Sequence, residues 1–188
     1  MAAAAAGSSA GGAGRDGGGA GRGLSATGAA LLAELKAART DDARMRASRR
    51  LREFVRAESR GGTDANATPM LNALNNRLFA LINSEDSNAK LSGIAAIAEL
   101  TEEPVPDNET KIVWFANYLR AVAPSTTDPV VLRAAAKALG HLARAGGTVT
   151  AEFVEFESKR ALEWLQAVET RVESRKLASV LILRELAE

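Results

Sequence analysis

Three glutamates, Glu152, Glu155 and Glu157, stand close together in a stretch with helical hydrophobic spacing. Neighbouring carboxylates can carry general acid–base chemistry, in which one group donates a proton and the other accepts one. Acidic side chains in the first turns of a helix also complement its dipole without any catalytic role. An enzyme built on these glutamates is therefore the least favoured of three interpretations.

Two further features have the residue types of catalytic groups. His141 is the single histidine and lies between Leu139 and Leu142 on a predicted helix, with no converging partner in the sequence. We assign it a structural role. Ser87 and Lys90 form the S-x-x-K string of penicillin-recognising enzymes, but S-D-N and K-T-G are absent, so Ser87 is interpreted as a residue at the start of a helix.

Other chemistries are excluded by composition and motifs. The chain has no cysteine, which removes thiolate catalysis, disulfides and cysteine-ligated metals. It contains no glycine-rich phosphate loop and no H-R-D or D-F-G string. We therefore predict no catalytic, cofactor-binding or metal-binding residues and no cofactor.

Basic residues are concentrated in one predicted helix. They are Arg44, Arg46, Arg49, Arg50, Arg52, Arg56 and Arg60. A basic stripe of this kind can bind nucleic acid or anionic lipid, but acids are interleaved with it and the formal net charge of the chain is only +1. The favoured interpretation is a solvated helix face, with no nucleic acid as partner. No run of about 18 apolar residues is present, so no transmembrane segment is predicted.

Residues 1–26 form a leader rich in alanine, glycine and serine. Backbone entropy is high there and little apolar surface offsets it, so a disordered tail is predicted. A leader with Arg15 and Arg22 but one acid, Asp16, also has features of an organelle transit peptide. Clustered glycines would disrupt the amphipathic helix that such a peptide needs, which favours the tail.

The remaining residues, 27–188, are predicted to form one all-α domain of four antiparallel helix pairs. The predicted pairs are 27–60, 68–101, 108–146 and 150–188. Each pair shows apolar residues at helical spacing, and the breaks are short enough to make its helices antiparallel neighbours. The strings Thr68-Pro69 and Asp128-Pro129 indicate a capped helix start with proline at the first position.

A repeat connects the pairs. Leu51, Ile97, Leu139 and Leu183 are separated by 46, 42 and 44 residues, the spacing of HEAT or armadillo-type helical pairs. Small residues, Gly93 and Ala135, recur at one place in the repeat, where helices would approach closely. The fold class is thus an α-solenoid.

The last predicted helix carries four consecutive apolar residues, Val180-Leu181-Ile182-Leu183. They would cover more than half of its circumference, whereas the last repeat of a solenoid has a polar outer face. We therefore expect further HEAT repeats beyond Glu188.

From about residue 71 onward, several strings agree in order and spacing with a known family. They are LSGIAAIAEL at 91–100, FANYLR at 115–120, DPVV at 128–131, AEFVEFE at 151–157 and KRALEWL at 159–165. Together they resemble the N-terminal HEAT repeats of the target of rapamycin (TOR) serine/threonine kinases, over about two-thirds of the chain. The leader and the arginine-rich pair match that family poorly.

This resemblance implies a cytoplasmic scaffold rather than an enzyme. In that family the N-terminal solenoid holds Raptor- or Rictor-type subunits in a dimeric complex that serves nutrient and growth signalling, and the kinase lies near the far C-terminus. No kinase residue maps onto this chain. The alternative is an independent short HEAT or armadillo adaptor unrelated to kinase signalling.

Overall fold

The structure, a computed structural model, describes residues 24–61, 64–105, 107–167 and 173–188. These residues form helices and connecting turns, with no strand among them. The helices are α1 (Ala26–Ala37), α2 (Asp41–Gly61), α3 (Asp64–Ile82), α4 (Ser87–Thr101), α5 (Asn108–Ser125), α6 (Pro129–Gly146), α7 (Ala151–Gln166) and α8 (Glu173–Ala187). A 3₁₀ turn (Gly147–Thr150) joins α6 to α7. None of the described helices has the length and apolarity needed to cross a bilayer.

Aspartate caps begin three of these helices. The carboxylate oxygens of Asp86, Asp107 and Asp128 accept hydrogen bonds from backbone amides two or three residues later. Each bond satisfies an amide that has no acceptor within the helix. The start predicted at Asp128-Pro129 is therefore confirmed, with Pro129 as the first residue of α6.

The predicted start of α3 is wrong. The helix begins at Asp64, and Pro69 lies inside it instead of at its first position. The first four amides of a helix have no intrahelical acceptor, so a proline at the sixth position removes only one backbone hydrogen bond. The first helix begins at Ala26, where Ser25 accepts a hydrogen bond from the Gly28 amide, so the predicted tail is too long at its end. The rest of that tail, residues 1–23, lies outside the described residues.

The helices are arranged in two layers. The second helices of the pairs, α2, α4, α6 and α8, pack against one another in that order. The first helices cover them: α1 packs on α2 and α4, α3 on α4, α5 on α6, and α7 on α8. Within the first layer, α3 also contacts α5. The 3₁₀ turn packs against both α5 and α7. This arrangement confirms the all-α, HEAT-like solenoid.

The register of the repeat is visible in the second layer. Leu51, Ile97 and Leu139 are almost completely buried, and Leu183 packs against the core. The residues four positions earlier are small and buried: Ala47, Gly93, Ala135 and Ser179. A Cβ added at Gly93 would lie 3.1 Å from atoms of Ile82 and Leu81. Small residues thus allow neighbouring helices to approach closely, as predicted.

The apolar residues of α7 are divided between core and surface. Phe153 and Ala161 are buried, but Phe156 and Leu162 are about half exposed. Glu157 is fully buried beside Phe156 because two guanidinium groups neutralise its carboxylate.

The apolar run on α8 is divided between core and solvent. Leu181 and Ile182 are buried, whereas Val180 is 54% exposed. Further repeats beyond Glu188 remain a prediction.

Two buried lysines connect the end of one helix to the next elements. The Lys90 ammonium donates to the Ile82 carbonyl oxygen at the end of α3, at 3.2 Å, and to Ser125 Oγ at 3.0 Å. The Lys111 ammonium donates to the carbonyl oxygens of Leu100, Thr101 and Glu103. The last carbonyls of a helix lack intrahelical donors, so each lysine stabilises a helix end by charge and hydrogen bonds.

Candidate interaction surface

The arginines of α2 are mostly committed to contacts within the fold. Six of the seven form ion pairs with carboxylates. Arg56 donates to both carboxylate oxygens of Glu103, and Arg52 pairs with Glu99 at 3.0 Å, so both connect α2 to α4 or the loop after it. Arg50 pairs with Glu34 on α1. The solvated-face interpretation is therefore only half right, because several of these side chains join helices.

Sequence reasoning missed this role, although a signal was present. Arg39 pairs with Asp86 and Arg56 with Glu103, and each pair is separated by 47 residues, close to one repeat length. Opposite charges one repeat apart lie on adjacent second helices or their ends, so their spacing marks contacts between repeats.

A groove between α5 and α7 provides the candidate interaction surface. We call it the α5–α7 groove, and its lining includes Val113, Ala116, Arg120, Val149, Phe153 and Phe156. The 3₁₀ turn forms one wall because Gly147, with a φ of 54°, turns the chain sharply at the end of α6. Three lining side chains are exposed although apolar: Val113 (45%), Val149 (38%) and Phe156 (49%). Exposed apolar side chains grouped in this way are typical of binding surfaces.

Arg120 organises the floor of this groove. Its guanidinium carbon lies 4.4 Å from the ring centroid of Phe156 and 5.5 Å from that of Phe153. Its Nε donates to Glu157 Oε1 at 2.8 Å, and Arg160 contacts the other oxygen of the same carboxylate. Burial raises the pKa of Glu157, and the two guanidinium groups oppose that shift. The resulting network holds the Arg120 guanidinium over the Phe156 ring.

Other aromatic residues lie on the same layer. The Phe79 and Tyr118 rings are tilted against each other with centroids 5.2 Å apart, which joins α3 to α5. Phe79 is 48% exposed, whereas Tyr118 and Trp164 pack partly against the core. Arg160 lies 4.7 Å from the Trp164 ring.

The residues that could carry chemistry do not converge. Glu157 is buried in its arginine network, Glu155 pairs with Lys159 on the surface, and Glu152 is exposed. His141 Nε2 lies 3.0 Å from Glu102 Oε1 at a half-exposed position.

The S-x-x-K string also has a structural explanation. Ser87 is the first residue of α4, as predicted, and the Lys90 side chain is directed to the end of α3. Among the described residues, no three histidine, cysteine, aspartate or glutamate side chains form a group that could hold a metal ion.

Stacked antiparallel helix pairs with a repeating register, joined by ion pairs between repeats, define a HEAT-like helical-repeat protein. Such proteins bind partners along the surfaces of the stack.

Known relatives identify the family more closely. The chain is 40% identical over 150 residues, 80% of its length, to the serine/threonine-protein kinase tor1 of Schizosaccharomyces pombe. It is 46% identical over 115 residues to the kinase TOR of Arabidopsis thaliana, covering 61% of the chain. It is 41% identical over 138 residues to the kinase TOR of Oryza sativa subsp. japonica, covering 73%. The chain is therefore TOR-related.

The chain spans only 5–6% of the length of these relatives. No family model matches it. No solved structure matches it either.

Proposed function

We propose that this chain is a non-catalytic scaffold region of a TOR-type kinase, in which stacked helix pairs hold other subunits. The observation that carries the proposal is the 40% identity to tor1 over 80% of the chain, on a fold made of helical repeats. The charged residues support it, because they are used mainly to hold helices together. Binding then depends on surface complementarity and not on bond-forming chemistry.

The expected partners are Raptor- or Rictor-type subunits of a TOR complex in the cytoplasm, serving nutrient and growth signalling. The exposed apolar side chains of the first-helix layer support a protein partner, since aromatic side chains are enriched at protein interfaces. The relation to TOR kinases argues against an adaptor unrelated to kinase signalling.

The proposal is tested by assembly in the complete TOR-type kinase. We would replace residues 24–188 with an unrelated helical-repeat segment of equal length and capture the kinase with a tagged Raptor-like subunit and, separately, with a tagged Rictor-like subunit. Loss of capture with retained kinase activity on a peptide substrate is the expected result. Undiminished capture of Raptor- and Rictor-like subunits would overturn the proposal.

A further inference from the structure

We propose that the α5–α7 groove binds a short amphipathic helix of a partner protein. An apolar residue of that helix packs beside Phe156, a basic residue faces Glu109 and Glu152, and an acidic residue faces Arg120. This inference deepens the proposed function and rests on it, since it names the chemistry of one partner element.

Phe156 is the apolar anchor. It is about half exposed, yet Arg120 lies 4.4 Å over its ring and is itself fixed by the buried Glu157. An aromatic side chain held in one position loses little conformational entropy when a partner binds. Exposed Val113 and Val149 extend the apolar surface along the groove.

The shape of the groove favours a helix. Helix α5 lines one side, and α7 with the 3₁₀ turn lines the other. The groove is open to solvent and has a volume of about 290 Å³, which is near the lower limit for small-molecule sites. Apolar grooves between helices commonly receive an amphipathic helix.

The charges are divided along the groove. Glu152 lines it at the start of α7 and is exposed. Glu109 lies outside the lining but is exposed on α5, one helical turn before the lining residue Val113. Neither forms an ion pair with a described residue. Glu109 and Arg120 are eleven residues apart on one helix, which corresponds to about 16 Å.

The Arg120 end is electropositive. There, one carboxylate, Glu157, is shared by two guanidinium groups, Arg120 and Arg160. The groove therefore has an acidic end and a basic end, which favours a partner helix with one basic and one acidic end. The acidic end disfavours nucleic acid and anionic lipid, whose phosphates it repels.

The test uses the full chain and three fluorescein-labelled model helices with an identical leucine stripe. One peptide has lysines at one end and glutamates at the other, the second has lysines at both ends, and the third has glutamates at both ends. Affinity is measured by fluorescence anisotropy. We expect saturable binding, with the mixed peptide binding several-fold more tightly than either single-sign peptide.

Three variants locate the site. Phe156→Ala should weaken binding of the mixed peptide about tenfold, the effect expected of an anchor residue. Phe79→Ala is the matched control, because Phe79 is equally exposed but lies outside the groove; it should leave the affinity unchanged. Glu152→Lys should shift the preference toward the peptide with glutamates at both ends. Circular dichroism checks that each variant keeps its helix content.

No saturable binding of the mixed peptide, equal losses for Phe156→Ala and Phe79→Ala, or an unchanged charge preference in Glu152→Lys would each overturn the inference. The proposed function is tested independently of this groove, because its test measures capture of the complete kinase by a tagged subunit. If capture still requires residues 24–188 while the peptides do not bind, subunit binding uses another surface.

Discussion

Arg56 and Glu103 form a bidentate ion pair between α2 and the loop that follows α4. Arg56 Nε lies 2.9 Å from both carboxylate oxygens of Glu103, and Arg56 Nη2 lies 2.6 Å from one of them. The Glu103 side chain is almost fully buried, and its backbone carbonyl accepts a hydrogen bond from Lys111 on α5. Glu103 thus joins α2, the loop after α4, and α5.

Glu103→Gln should lower the free energy of unfolding by about 1–3 kcal/mol, because the substitution removes the charge from a buried, bidentate contact. Asp42→Asn is the matched control, since Asp42 pairs with Arg46 at an exposed position of α2; its cost should stay below about 1 kcal/mol. Urea denaturation followed by tryptophan fluorescence measures both. Equal effects would mean that burial adds nothing to the Arg56 contact.

Acid stability should depend on the same pair. The hydrogen bond from Arg56 holds the pKa of Glu103 below its ordinary value of 4.5. The folded chain therefore binds fewer protons than the unfolded chain, so the stabilisation is present above that value and is lost as pH falls through the folded-state pKa. In urea titrations from pH 6 to 3, the wild type should lose more stability than Glu103→Gln. Parallel curves would contradict this prediction.

Lys111 should produce a pH dependence of the same sign at alkaline pH. Burial lowers the pKa of its ammonium from 10.5 to about 8, although Glu103 and Glu102 oppose the shift. Between these values the unfolded chain keeps a proton that the folded chain has lost, so stability rises with pH, by on the order of 3 kcal/mol at most.

Lys111→Met should remove that rise from urea titrations between pH 7.5 and 10. The control is Lys137→Met, at an exposed position of α6, which should keep the wild-type dependence. If stability still rises with pH in Lys111→Met, the rise comes from other titrating groups.

Gly140→Ala should destabilise the contact between α6 and α8. In an exposed helix this change stabilises by up to about 1 kcal/mol. Here the new Cβ would lie 2.6 Å from the Glu185 carbonyl oxygen and 2.8 Å from its Cβ. We therefore expect a loss of about 1–3 kcal/mol from overpacking.

The Glu185 carbonyl oxygen also accepts a hydrogen bond from Arg144, at 3.0 Å. Moving α8 away from α6 to make room for the new Cβ would disturb this bond. Gly93→Ala provides the comparison. Its nearest atoms are 3.1 Å away and include the end of the Ile82 side chain, so its cost should be smaller. A thermal midpoint for Gly140→Ala at or above that of the wild type would show that α6 and α8 are less closely packed.

The sequence by itself determined the helical pairs and their spacing. Amphipathic periodicity and aspartate caps such as Asp128 are local features, because they depend on residues within one or two turns. The repeat of Leu51, Ile97 and Leu139 could likewise be recognised from the number of residues between them. For the same reason, Gly93 and Ala135 could be predicted as points of close approach.

Only the tertiary structure decided which polar residues are buried and where the surface is open. Glu157 reads as one more acid of a helix start, yet it is buried because Arg120 from another pair reaches it. Phe156 follows a core-like spacing but remains exposed in the groove between α5 and α7. Burial of a charge depends on partners far away in the chain, and a local pattern contains no information about which neighbour covers a helix face.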